Sequence, residues 1–227
     1  MLVEGEPRVL PTFPPDLSAK AERQLISLGV RAITSARVTQ IDADGVTVTV
    51  NGRPERISTH TVLWAAGVRA SPLGKVLAER AAAQLDRAGR VVVEPDLTIP
   101  GHPAIFVIGD LSSFTHQGGR ALPGVAPVAM QQGAYAARLI RRRVAGRTTP
   151  APFHYFNKGN LATIGRNRAV AEFGKLHISG FPAWFTWVFV HLMYLVEFDN
   201  RLLVFTEWVY NYFTRNRGAR LITGGAP

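Results

Sequence analysis

Residues 105–110, IFVIGD, are the stretch of this sequence best suited to hold a ligand. An apolar strand ending in Gly-Asp sets a carboxylate at the C-terminal edge of a sheet, where nucleotides bind in α/β folds. Gly109 permits close approach, and Asp110 can accept a hydrogen bond from a ribityl or ribose hydroxyl. The competing use is a plain strand followed by a helix cap. A second candidate is Ala65-Ala66-Gly67, which follows the apolar residues 61–64. Three small residues after a buried strand let a ligand or another backbone come close. Other chemistries find little support. Cysteine is absent, which removes disulfides, thiolate metal sites, cysteine nucleophiles and dithiol redox pairs. The six histidines, His60, His102, His116, His154, His177 and His191, show no ligand spacing, so no metal site is expected. His191 on an apolar helix reads as a hydrogen-bonded packing residue. No Ser-His-Asp order stands out, and no side chain is assigned as a catalytic acid or base.

The elements that must position these residues are of α/β type up to about residue 127. Glu4 stands at the tip of a strand end in MLVEGEPRVLP. A helix is expected from Pro15 to about Leu28, with Leu17, Ala21, Leu25 and Leu28 on one face and Gly29 as its stop. Residues 30–33 read as a short strand. Residues 38–41 and 46–50 flank Asp42-Ala43-Asp44-Gly45, a hairpin turn signal, and residues 53–57 add a third strand. Residues 61–64 read as a buried strand, and residues 91–93 and 104–108 as further strands. A helix is expected over Ala126–Val144, with Arg138, Arg141, Arg142 and Arg143 in its last turns, where cations favour the helix C-terminus. Beyond it, residues 153–156, 161–164 and 169–173 read as short strands, and residues 181–196 and 202–214 as helices.

Charge divides the chain more sharply than composition does. Apolar residues make up 47% and charged residues 19%, a balance that excludes wholesale disorder. Residues 1–127 hold 13 basic against 12 acidic side chains, whereas residues 128–227 hold 13 against 4. A basic half points to an anionic partner. The arginine run 138–147 lacks any accompanying nucleic-acid recognition motif, so nucleic acid is not the expected partner. Three of the four tryptophans, Trp184, Trp187 and Trp208, fall in the last two helices. The run from 178 to 196 reaches the roughly 20 apolar residues of a membrane span only if Ser179, Gly180 and Pro182 are counted as helix. It reads as interfacial rather than spanning.

Longer stretches carry a resemblance. TVLWAAGVRASP, GRVVVEPDLTIPGHPAIFVIGD and the Ala- and Gln-rich basic helix together resemble the two-dinucleotide-domain flavoprotein reductases. FHYFNKGNLATIGRNRAVAEF and ISGFPAWFTWVFVHLMYLVEF narrow this to type II NADH dehydrogenase. The resemblance implies peripheral, non-pumping, FAD-dependent NADH:quinone oxidoreductases. It implies that Asp110, after Gly109, binds the flavin ribityl chain, and that Ala129 and Met130 line the flavin ring. It also places Ala66 and Gly67 beside a cofactor and Lys158 near the isoalloxazine and quinone end. Glu4 would bind the adenosine ribose hydroxyls and favour NADH over NADPH. One position departs: Pro127 stands where the family carries a glutamine that touches the quinone. Pro suits a first helical turn but offers no side-chain amide. No G-x-G-x-x-G occurs, so the phosphate-binding turns for FAD and NADH are expected in an N-terminal half outside this sequence.

The expected architecture is therefore α/β: part of a two-dinucleotide-binding-domain, Rossmann-like flavoprotein, with a C-terminal β-hairpin and an amphipathic-helix membrane-binding region. Residues 1–68 would belong to the NADH-binding domain, 69–150 to the FAD-binding domain and 151–227 to the membrane-associating region. The implied cofactors are FAD and NADH. The implied partners are a quinone and an anionic membrane surface, on the cytoplasmic face of the cell membrane, with a homodimer contact as another use of the apolar helices. The alternatives are a soluble NAD(P)H-dependent reductase of the same superfamily, or a non-catalytic membrane-binding remnant.

Overall fold

Two prolines fix the start of the first helix. Pro14 is extended, and Pro15 opens α1 (Pro15–Ser27), where its missing N–H breaks no helical bond. Ahead of it β1 (Leu2–Val3) pairs in parallel with β2 (Ala32–Ile33). β3 (Ala36–Asp42), β4 (Gly45–Val50) and β5 (Arg53–Ser58) form an antiparallel sheet with β4 in the centre. The expected hairpin lies at Asp42–Gly45, and Val46 and Val48 of β4 are buried. The computed structural model describes residues 1–148, 151–195 and 198–214. Thr149 and Pro150, Val196, and the basic tail with Arg215, Arg217 and Arg220 lie outside the described residues. The chain divides into two compact units, Met1–Val62 with the chain from Gly159 onward, and Leu63–Lys158.

The expected strand at 61–64 does not form. Leu63 is 89% and Trp64 63% exposed, and no strand among the described residues pairs with this stretch. A strand exists only where a neighbour takes its backbone groups, so an apolar run without one stays irregular.

The second unit contains α2 (Leu73–Ala81), β6 (Val91–Val92), β7 (Thr98–Ile99), β8 (His102–Phe106), β9 (Ser112–Ser113) and α3 (Ala126–Val144). β6 pairs in parallel with β9, and β7 antiparallel with β8. α2 is not expected from the sequence; it buries Gly74 and Ala81 and packs Leu77 on the core, while Leu73 and Val76 stay exposed. α3 has the limits expected of it. Val128, Tyr135, Ala136 and Leu139 line its buried face, against a core that includes Val91, Leu97, Ile99, Val107, Phe114 and Phe153.

Residues 153–156 are not a strand either, for a different reason. The Gln117 side chain donates to the Tyr155 carbonyl at 3.0 Å and accepts from its N–H at 2.9 Å. Gln131 treats Phe156 the same way, at 2.9 Å in both directions. Two side-chain amides thus satisfy the backbone groups that a neighbouring strand would have taken.

In the first unit, the chain from residue 159 adds an antiparallel sheet of β10 (Asn160–Gly165), β11 (Arg168–Phe173) and β12 (Leu176–Ser179). Successive β11 side chains point to opposite faces. Val170 joins Val9, Phe13, Leu17 and Ala21 under α1, whereas Ala169 and Ala171 pack with Ala183 of α4 (Phe181–Tyr194). α5 (Phe198–Thr214) follows. Among the described residues no helix is long and apolar enough to cross a membrane.

Candidate functional site

The chain emerges from the core at Val107 and turns sharply at Gly109–Leu111, a single 3-10 turn. Gly109 sits at φ +69°, a region that side-chain-bearing residues rarely enter. Both of its peptide groups are held. Its N–H donates to Oε1 of Gln132 at 2.6 Å. Its carbonyl accepts from the Ser112 N–H and from Ser112 Oγ, the latter at 2.8 Å. The turn lies against the start of α3: a Cβ on Gly109 would stand 3.5 Å from that of Ala129. Gln132 is completely buried, and its Nε2 finds no acceptor among the described residues.

This arrangement presents the Asp110 carboxylate in the open. Asp110 is exposed and makes no hydrogen bond with other described residues. One of its oxygens would lie 3.4 Å from a Cβ on Gly124, just ahead of α3, so glycine there leaves room beside the carboxylate. An unpartnered acceptor facing free space at the start of a helix suits a hydroxyl-bearing ligand, so these residues fit the ribityl chain of a flavin. Pro127 lies in the first turn of α3.

The other candidates are placed less closely. Met130 is half exposed, one residue beyond Ala129. Lys158 is exposed, two residues after the glutamine-held Phe156. Ala66 and Gly67 lie in the exposed segment before α2 and make no hydrogen bond to the Gly109–Leu111 turn. Glu4, in the first unit, follows β1. Its N–H bonds the Ile33 carbonyl, and its carboxylate accepts from the Glu6 N–H at 3.0 Å. Gln131 and Gln132 are the site residues that sequence reading passed over. The signal available was only a pair of polar residues on a helix, one of them on its buried face.

The arginines that close α3 are partly used within the unit. Arg143 pairs with Asp96 at 2.8 Å and lies over the Phe106 ring. Arg142 donates to the Thr148 carbonyl. His191 bonds the Trp187 carbonyl through Nδ1 at 3.0 Å, with its ring against that of Trp187.

In the first unit α4 and α5 enclose an apolar groove of about 540 Å³, lined by Trp184, Trp187 and Trp208 among others. Trp187 and Trp208 stack at 5.5 Å, and Arg166 covers the Tyr212 ring at 4.4 Å. Phe181 and Phe185, at the margin of the groove, continue with Phe189 and Met193 as an exposed stripe along α4.

Comparison with known proteins matches these features. Residues 1–133 fit the family model described as pyridine nucleotide-disulphide oxidoreductase, and residues 157–216 that of the NDH2 C-terminal domain. The chain is 45% identical over 228 residues to the type II NADH:quinone oxidoreductase NdhA of Mycobacterium tuberculosis, covering 98% of this chain and 47% of that protein. It is 38% identical over 184 residues to the type II NADH:quinone oxidoreductase of Staphylococcus epidermidis, covering 81% and 44%. The chain thus spans about half the length of these relatives. Among solved structures, NDH2 from Plasmodium falciparum in complex with NADH matches with a TM-score of 0.84 at 16% identity, over 96% of this chain and 58% of that one. A ferredoxin reductase from Rhodopseudomonas palustris matches at 0.55 and 18% identity, over 82% and 51%. At such identities the likeness shows the fold.

Proposed function

Since this chain belongs to the pyridine nucleotide-disulphide oxidoreductase family, in its type II NADH dehydrogenase branch, we propose that it takes part in passing electrons from NADH through FAD to a quinone at a membrane surface, without pumping protons. The observation that carries this reading is the open Asp110 carboxylate at a rigidly held Gly-Asp turn, within a chain that matches the two family models one after the other. Bound FAD supplies the two-electron relay between NADH and the quinone. The protein's share is to bind, orient and insulate.

Asp110 would hold the ribityl chain. Ala129 and Met130, on the first turns of α3, would lie along the flavin ring, where the positive helix end favours negative charge. Ala66 and Gly67, bare of bulk, would let the cofactor approach. Glu4 would accept hydrogen bonds from the adenosine ribose of NADH, and its charge would disfavour the extra phosphate of NADPH. Lys158 would stand near the quinone end. Residues 1–68 would serve NADH, 69–150 FAD, and 151–227 the membrane. The exposed α4 stripe and the tryptophan-lined groove support a peripheral position on a bilayer, and the excess of basic side chains in residues 128–227 supports an anionic surface, for which the cytoplasmic face is proposed. A ring with an apolar body and a polar edge suits the headgroup boundary.

The test is NADH-dependent reduction of a short-chain quinone. It is run on the 227-residue chain alone and joined to the N-terminal half of the M. tuberculosis relative. Flavin retention and faster turnover with NADH than NADPH in the joined form support the reading. A joined form that folds yet neither holds flavin nor oxidises NADH overturns it.

A further inference from the structure

We propose that Gln132 is the positioning residue of the flavin-binding turn: it fixes the backbone of Gly109 and thereby the direction of the Asp110 carboxylate. The inference rests on the flavin reading above and names a residue that reading does not use. Two dihedrals at Gly109 decide where Asp110 goes, and glycine restrains neither of them by itself. In this protein they are restrained from both sides. Ser112 holds the Gly109 carbonyl through its N–H and Oγ, and Gln132 Oε1 holds the Gly109 N–H at 2.6 Å. Ser112 is only three residues away and moves with the turn. Gln132 lies 23 residues away on α3, and the same Oε1 is also within hydrogen-bond reach of Ser112 Oγ at 3.1 Å, so this one side chain ties both ends of the turn to the helix that carries Ala129 and Met130.

The orientation of the amide is dictated. The Gly109 N–H needs an acceptor, so the oxygen must face it, and the NH₂ end is turned to where no acceptor exists among the described residues. A buried NH₂ without a partner opposes folding. Methionine would fill the same volume with no such group. What glutamine provides here that methionine cannot is the acceptor for Gly109.

That difference yields a test with a readout other than activity. In Gln132→Met, relief of the orphan NH₂ offsets loss of the Gly109 bond, so the melting temperature should stay close to wild type. The Gly109 amide should exchange with solvent at least about tenfold faster while the Val48 amide is unchanged. Joined to the N-terminal half of the M. tuberculosis relative, the variant should hold FAD about tenfold more weakly, with a shifted visible flavin spectrum. Gln132→Glu keeps an acceptor oxygen and should restore Gly109 protection. If Gln132→Met does not fold, Gln132→Glu carries the test: fast Gly109 exchange in that variant overturns the proposal. Unchanged Gly109 exchange in Gln132→Met overturns it as well. So does unchanged FAD affinity in Gln132→Met when Asp110→Ala does weaken FAD. If Asp110→Ala leaves FAD binding intact too, the flavin reading itself has failed.

Discussion

α3 and the α4–α5 pair use apolar residues in opposite ways. α3 buries Val128, Tyr135, Ala136 and Leu139 on one face and ends in Arg141, Arg142 and Arg143. Val128, Tyr135 and Leu139 are consumed by the core of its own unit, while Met130, Ile140 and Val144 on the same helix stay exposed. In α4 only Ala183 is buried, while Phe185 and Phe189 are each 59% exposed, and Phe213 of α5 is 78% exposed. Contiguous exposed apolar surface of this kind marks a site of association. The contrast teaches that hydrophobicity alone does not locate a core. α3 is amphipathic because one neighbour covers it. α4 is apolar around most of its circumference: the sheet takes one side, and the other side stays exposed.

The contrast can be broken most directly at the exposed stripe. Phe185→Asp combined with Phe189→Asp should cut binding to anionic vesicles by about a hundredfold or more, since burying each ring contributes roughly 1.5–3 kcal/mol. The melting temperature should not move. Co-sedimentation equal to wild type would show that this face serves another contact, such as a dimer. High salt alone should release only part of the protein, because apolar burial is not screened.

The converse experiment is Leu139→Ala, at a fully buried position of α3. It should cost about 2–5 kcal/mol of stability in denaturant unfolding and leave vesicle binding of the folded protein unchanged. Comparable losses from the double change and from Leu139→Ala would erase the distinction between a folding helix and an association helix.

Asp110→Ala sharpens the comparison from the side of the site. It removes one acceptor worth about 0.5–1.5 kcal/mol net, more if charge-assisted. FAD affinity should fall about tenfold when FAD is titrated into the flavin-free form joined to the N-terminal half of the M. tuberculosis relative, without effect on vesicle binding or on flavin-free melting.

The smallest effect is expected at a pair that belongs to neither helix and serves as a reference. Arg56 donates to Asp42 at 2.7 Å, and its guanidinium, helped by the Asp44 N–H at 3.0 Å, lowers the Asp42 carboxyl from 3.8 to about 2. Depression of a carboxyl in the folded state stabilises the protein above the unfolded value. The contribution is therefore present near neutral pH and lost as pH falls from 3.8 toward 2. Acid-unfolding curves of Asp42→Asn and wild type should differ slightly near neutrality and converge at the acid end. Because both groups are exposed, added salt should shrink the difference. A gap that widens on acidification would contradict the pairing.

Much of the site was legible because its signals are local. Gly109-Asp110 after an apolar run, whose strand ends at Phe106 rather than at Ile108, and the period of α3 with Pro127 in its first turn, are written in consecutive residues. Gln132 was not legible. Nothing in its neighbours distinguishes a glutamine that accepts a hydrogen bond 23 residues away from one that faces water. Gln117 and Gln131 hid in the same way, and through them residues 153–156 were read as a strand.

The sequence by itself determined the α/β character, the β3–β4 hairpin and the limits of α3. Each follows from side-chain periodicity, turn chemistry or a backbone preference acting over a few residues. Tertiary structure alone decided which apolar runs became covered. Val91 and Val93 are buried by partners distant in sequence, while Leu63 and Trp64, no less apolar, are not. It also decided that two extended segments would be held by glutamine side chains or by nothing, rather than by a strand. The physical reason is that burial and backbone pairing are properties of two surfaces meeting. A sequence specifies each surface, but only the folded chain specifies which of them meet.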